Sequence, residues 1–260
     1  MKNVAALIKK VSREAWISFF SIALLIGLWE AAVDFRWVTS AFLPSPSTIA
    51  RATIHLTASG ELPRHVYATL VRMFIGFFAG TILGMIIGLM MGWSKVVRAI
   101  FNPVVSIIYP LPKIALLPLI MLLVGIGEVP IIIIIGLGVF FPVLINCMAG
   151  VASIDPIYFD VAQNYGAGKF KTFTKVILPG SLPVALAGLR LALGMSLLLA
   201  VIVELSIATK GIGAMLWLSW QTFRIERIYV AIVVIAILGL LLNWLLGLVG
   251  RRLVPWREAR

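Results

Sequence analysis

Residues 155–179 read DPIYFDVAQNYGAGKFKTFTKVILP, a polar island set between two long apolar stretches. The rest of the chain is apolar enough to dissolve in lipid, so a water-exposed segment of this length is there to meet a partner in water. Asp155 is placed to N-cap a helix that opens at Pro156, where the missing N–H costs nothing. Gly166 can end that helix in the left-handed conformation, which glycine enters without steric penalty. The marked helix is about ten residues long, and Ile157, Val161, Ala162 and Tyr165 are expected on one face of it. A second polar helix carrying Lys169, Lys171 and Lys175 follows and is expected to stop at Pro179. The pair reads as a helix-turn-helix that docks on another protein.

Composition sets the surroundings of the island. Hydrophobic residues make up 62% of the chain and charged ones 12%, with a mean hydropathy of +1.09, whereas a soluble domain carries about 25% charged residues. The chain is therefore an integral membrane protein. Its 260 residues accommodate one bundle of about six transmembrane helices at about 20 apolar residues each, a single domain over 1–260 with its cytoplasmic loop at about 153–180. Helices are preferred to a β-barrel, whose strands would alternate polar and apolar residues, because these runs are apolar on every side.

Six apolar spans are expected near Ala15–Val33, Val66–Trp93, Val97–Val124, Pro130–Val151, Leu182–Ala208 and Tyr229–Val249. Lys2, Lys9, Lys10 and Arg13 precede the first, and Arg251, Arg252, Arg257 and Arg260 follow the last, so the positive-inside rule puts both termini in the cytoplasm. With alternate loops assigned accordingly, the cytoplasmic side holds thirteen basic residues against six outside, and the island is cytoplasmic. The net charge of +12 is scattered over span ends. It marks topology and anionic lipid headgroups, not nucleic acid. A basic start followed by an apolar core imitates a cleaved signal peptide, but this run is long and no small-x-small site precedes a soluble domain. Cys147 is the single cysteine, which leaves no disulfide within the chain, and it falls inside a span as a small apolar residue.

Within the spans, Gly76, Gly80, Gly84, Gly88 and Gly92 recur at every fourth position. Such a stripe lets another helix's backbone approach closely, so it is expected to be a packing surface. The third span is interrupted by Pro103, Pro110, Pro112 and Pro118, with Lys113 near its middle. Prolines free backbone carbonyls that must be received by protein or by a water-filled cavity, and a cavity is expected there. Intramembrane charges are functional candidates by default. Arg72 and Glu204 sit near span ends, where snorkelling or mutual pairing accounts for them, which leaves Lys113 as the candidate for the substrate pathway.

Catalytic and cofactor signatures are not found in the sequence. Gly166-Ala167-Gly168-Lys169-Phe170 resembles a fragment of a phosphate-binding loop, but the upstream glycine is missing and Phe170 stands where Ser or Thr would hold magnesium. His55 and His65 have no ligand spacing, so no metal site is expected.

The island also resembles a family signature. Membrane subunits of binding-protein-dependent ABC importers carry E-A-A, three residues, G, nine residues, I-x-L-P in the cytosolic loop before their last two helices. Asp160, Val161, Ala162, Gly166, Val176, Leu178 and Pro179 stand at those positions, with Asp160, Val161 and Val176 as mild departures. Further likeness lies in Leu43-Pro44-Ser45-Pro46, the glycine stripe, Pro112 to Pro118, Gly125-Ile126-Gly127-Glu128, and Glu204 followed by Gly211-Ile212-Gly213. Together they look like the aliphatic-sulfonate, taurine and nitrate branch.

The resemblance implies an all-α permease bundle of the type I importer kind in a bacterial inner membrane. It implies a homodimer with two cytosolic ATPase subunits and an extracytoplasmic solute-binding protein, and a small, mostly anionic solute such as a sulfonate, taurine, nitrate or bicarbonate. A vitamin precursor is the alternative. ATP and magnesium would bind the partner ATPase, and this chain would be non-catalytic, with Asp160 to Pro179, Tyr165 included, as its coupling element. A secondary transporter would need related halves with matching broken helices, and no such repeat is present. An intramembrane enzyme would need convergent catalytic groups, and the span charges are isolated in the sequence.

Overall fold

The computed structural model describes the backbone of residues 2–254 and the side chains of residues 16–254. Lys2, Lys9, Lys10 and Arg13 at one end, and Arg257 and Arg260 at the other, lie outside the described side chains. Every regular element of the described backbone is a helix. It runs α1 (Lys2–Asp34), α2 (Pro46–Ala58), α3 (Glu61–Trp93), α4 (Lys95–Ile108), a 3-10 turn (Lys113–Leu116), α5 (Leu117–Val124) and α6 (Glu128–Ala152). There follow α7 (Ile157–Asn164), α8 (Lys169–Thr172), a π turn (Phe173–Ile177), α9 (Leu178–Ile207), α10 (Ile212–Gln221) and α11 (Ile225–Leu253).

Five stretches are long and apolar enough to cross a membrane: Trp16–Asp34, Glu61–Trp93, Glu128–Ala152, Lys169–Ile207 and Ile225–Leu253. A sixth arises if α4 and the segment Lys113–Val124, which meet at a bend of 90°, count as one broken span. That break falls at Pro110 and Pro112, where the proline ring and missing N–H prevent the helix from continuing.

The chain divides into two compact units. One comprises the residues up to Leu62 together with Leu216–Ile232. Here Ser45 Oγ caps α2 by accepting from the Thr48 N–H at 3.3 Å, with Pro46 at the first turn, which gives the Leu43-Pro44-Ser45-Pro46 motif its reason. The Glu30 carboxylate accepts from the Ser47 N–H at 2.9 Å and the Ser47 hydroxyl at 2.7 Å, so α1 places an anion at the positive end of α2.

The other unit comprises Pro63–Met215 and the residues from Val233 onward. Its centre is α6, whose Ile134, Ile135, Val139, Val143, Leu144 and Cys147 are fully buried. Both neighbouring helices reach it through small residues. A Cβ placed on Gly76 would lie 2.7 Å from the Ile135 Cβ, on Gly84 2.6 Å from the Phe140 oxygen, and on Gly88 2.5 Å from the Leu144 oxygen. A Cβ on Gly80 would strike the Gly136 oxygen, and one on Gly92 the Val151 side chain. All five glycines of α3 thus face α6, four of them at backbone contact. A different face of α6 meets α9, whose Ser181, Ala185, Gly188, Ala192, Ser196 and Ala200 are buried, with a Cβ on Gly150 of α6 only 2.7 Å from the Ser181 oxygen and one on Gly188 striking Asn146. Close backbone approach replaces the hydrophobic effect as the adhesive between helices in lipid.

Candidate functional site

Three places carry the charged and polar residues that the spans would otherwise exclude. The first is the island. Asp155 Oδ1 accepts from the Ile157 N–H at 3.0 Å, so the helix opens one residue later than expected. It closes at Gly166, with φ of 67°. The Ala167 N–H bonds to the Ala162 oxygen and the Gly166 N–H to the Gln163 oxygen, both at 2.9 Å. These two bonds form the Schellman motif, which fixes the direction of the chain leaving α7.

The faces of α7 differ from the sequence expectation at one position. Ile157, Val161 and Tyr165 point outward, Tyr165 at 88% exposure, and Tyr158 joins them, while Ala162 is buried with the partly buried Phe159 on the inner side. Ala162 lies about 100° around the helix from Val161, too far to share its face once the inner side is packed. A second difference concerns Pro179. The helix does not stop there, and helical backbone continues from Lys169 to Ile207. The Leu178 N–H bonds to the Phe173 oxygen, a widened turn just before the proline. That turn lets Pro179 occupy the first positions of α9, where its lack of an N–H is harmless. Lys169, Lys171 and Lys175 are exposed along this stretch, and Val176, Leu178 and Pro179 are half-buried.

The second place is the break between α4 and α5. Lys113 Nζ donates to the carbonyls of Ile108, Tyr109 and Leu111 at 3.1, 2.6 and 2.7 Å. Its three hydrogens therefore meet three carbonyls at the end of α4, in a conventional capping role for a cation at a helix C-terminus. The ammonium also lies 4.9 Å from the centre of the Phe141 ring, a cation–π distance. A cavity of about 300 Å³ adjoins it, bounded by Tyr109, Lys113, Gly138, Phe141, Met195 and Leu199.

The third place was legible only as isolated charges. Arg72 and Glu204 are 4% and 0% exposed, and Arg72 Nη1 donates to Glu204 Oε1 at 2.8 Å. Mutual pairing accounts for them and snorkelling does not. Arg72 also grips Glu128 with Nε and with Nη2, the latter at 2.7 Å, and donates to the Lys210 oxygen at 2.5 Å. Glu204 Oε2 accepts from the Thr69 hydroxyl at 2.8 Å and from the Gly213 N–H at 3.0 Å. Thr69 in turn accepts from the Ile212 N–H at 2.8 Å, and the Gly211 N–H donates to His65 Nδ1 at 3.1 Å. The motif Gly211-Ile212-Gly213 thereby gains a reason. Gly211 has φ of 127° and a Cβ there would strike the Glu204 carboxylate, while a Cβ on Gly213 would strike the Val201 oxygen. The start of α10 closes over a buried anion at its positive end. His65, Thr69 and Glu128 had no role from spacing alone. A second omission is Arg190, an exposed arginine well inside α9.

The fold and these sites can be set beside known proteins. The family described as binding-protein-dependent transport system inner membrane component matches residues 80–255. The chain belongs to this family. It is 34% identical over 251 residues to the taurine transport system permease protein of Escherichia coli (strain K12), covering 95% of this chain and 91% of that one. It is 33% identical to the putative aliphatic sulfonates transport permease protein of Bacillus subtilis (strain 168), covering 99% and 94%. The riboflavin transport system permease protein of Chloroflexus aurantiacus is 32% identical, covering 99% and 97%. Among solved structures, the MetNI methionine ABC transporter in an inward-facing conformation matches with a TM-score of 0.61 at 22% identity, over 75% of this chain and 94% of that one, a likeness of fold. The protein is a multi-pass membrane permease subunit of a binding-protein-dependent ABC importer, as the island's signature implied.

Proposed function

We propose that this permease forms the pathway for a small sulfonate-type anion. It works as a pair of identical copies, with two cytosolic ATPase subunits and an extracytoplasmic solute-binding protein. The observation that carries the coupling is α7, a helix outside every span that turns Ile157, Tyr158, Val161 and Tyr165 into water. A contiguous apolar face on a helix locked at both ends has the form of a surface that another protein covers. Asp160, Val161, Gly166, Val176, Leu178 and Pro179 make up this lever, with Ala162 anchoring it from within. Unbroken helix from Lys169 to Ile207 supplies a stiff link, so that closure of the ATPase on ATP moves α9 as a body. ATP, magnesium and hydrolysis belong to the ATPase, and this chain contributes no catalytic group. Both termini and the island are cytoplasmic.

The taurine and sulfonate relatives favour an oxyanion as cargo, and Lys113 places a positive charge beside the cavity at the break in the third span. The riboflavin relative favours a second reading, a vitamin-type solute. Uptake into vesicles holding the reconstituted importer separates them. Taurine or an alkanesulfonate is expected to be transported and riboflavin not; the opposite result selects the vitamin reading. Affinity purification of the chain is expected to recover a Walker-bearing ATPase, which Tyr165→Lys loses while the permease stays in the membrane, because a charge pressed into an apolar groove has no partner. Retention of the ATPase by Tyr165→Lys refutes the docking face.

A further inference from the structure

Arg190 is the intramembrane charge that the permease reading leaves without a task. It lies on the exposed side of α9, with Nη2 3.7 Å from the position a Cβ would take on Gly247 of α11, so the guanidinium spans the seam between the two helices. Gly247 precedes the last residue of α11, Leu253, by six positions, which sets Arg190 about 9 Å inside the end of that helix. Arg251 lies on the same groove nearer the helix end, and Leu186, Leu191 and Val254 supply apolar walls around a cavity of about 440 Å³. Among the described residues neither arginine has a carboxylate or carbonyl partner. An arginine at this depth is costly unless an anion or water compensates it. Only 6% of the apolar window of α11 is buried, so the groove opens on whatever surrounds the bundle.

We infer that the seam between α9 and α11 is a binding site for an anionic phospholipid. The phosphodiester sits between Arg190 and Arg251, and an acyl chain continues inward along the adjoining groove of Leu193, Leu197 and Leu242. The chemistry fits at both levels. A guanidinium presents paired N–H donors matched to phosphate oxygens, and basic pockets between transmembrane helices are a recurring form of headgroup recognition. Small residues at 247 and 250 keep the seam shallow, so that the Arg190 side chain reaches across it. The site goes beyond the transport reading and does not depend on which solute is carried.

The test is native mass spectrometry of the full-length permease in mild detergent, titrated with phosphatidylglycerol and, separately, with phosphatidylcholine. The wild type is expected to hold phosphatidylglycerol in preference. Arg190→Gln with Arg251→Gln is expected to lower that affinity by about an order of magnitude or more, from the contribution of each basic residue near an anionic headgroup. Lys95→Gln with Lys171→Gln, equally basic positions outside the groove, is expected to keep it. Equal affinity for the two lipids, or undiminished phosphatidylglycerol binding in the double-glutamine variant, overturns the site. Displacement of the lipid by excess taurine also overturns it and assigns the arginines to the solute. Should the double-glutamine variant fail to fold, Arg190→Lys with Arg251→Lys and a salt titration of the wild type decide: binding that is insensitive to salt refutes a charge-held headgroup.

Discussion

Removing the Arg72 guanidinium leaves the Glu204 carboxylate buried with only the Thr69 hydroxyl and the Gly213 N–H to hold it. Breaking a buried pair from one side costs about 3–5 kcal/mol, because the remaining charge is stranded. Arg72→Met is therefore expected to lower the melting temperature of the detergent-solubilised permease sharply, and adding Glu204→Gln to that background is expected to restore part of it. A melting temperature unchanged by Arg72→Met refutes the clasp. Lys113 behaves differently, since its loss exposes carbonyls and strands no charge. Lys113→Met is expected to cost about 1–3 kcal/mol from unsatisfied acceptors and to slow anion uptake further than Lys113→Arg, which keeps charge and donors. Equal uptake by Lys113→Met and the parent removes Lys113 from the pathway. Both residues were visible in the sequence as charges inside apolar runs. The partner of Arg72 was not, since Arg72 and Glu204 are 132 positions apart and only packing brings them together.

At the scale of elements, the stripe on α3 admits no side chain. Gly84→Leu is expected to force α3 and α6 apart, because even its Cβ would lie 2.6 Å from the Phe140 oxygen, and overpacking of this kind costs about 1–3 kcal/mol or more. Thermal melting again checks it, with Gly194→Ala as the contrast, since nothing lies within 4 Å of a Cβ placed there. Equal melting of Gly84→Leu and the parent refutes the tight seam. The stripe was readable from spacing, but its partner helix was not. The loop shows the reverse division. Its capping residues and left-handed glycine were local and therefore legible, whereas the continuation of the helix through Pro179 depended on a widened turn at 173–177 that no residue preference announces.

For the whole molecule, the orientation proposed from charge makes a labelling prediction. Cys147 is fully buried and gives little background with a membrane-impermeant maleimide. A cysteine at Tyr158 is expected to react only when the cytoplasmic face is opened, and one at Thr57, in the first long loop, from outside in intact cells. Labelling of the Tyr158 position from outside inverts the topology and refutes the cytoplasmic island. The same experiment bears on the lipid site, because it decides which leaflet faces the end of α11.

The sequence by itself determined which segments are apolar enough for lipid, the capping residues of α7 and the family signature. These follow from composition, from hydropathy over windows of about 20 residues and from short-range backbone chemistry, all of which act between neighbours in the chain. The tertiary structure decided that α6 is the helix held by both α3 and α9. It decided that Ala162 turns inward while Val161 does not, that Lys113 caps the helix it interrupts, and that Glu204 gathers Arg72, Thr69 and the start of α10 around itself. All but the Lys113 cap, whose carbonyls lie two to five residues away, depend on which surfaces meet across long separations. In a bilayer that choice is made by close packing and by the need to satisfy every buried polar group, and neither leaves a periodic mark in the chain.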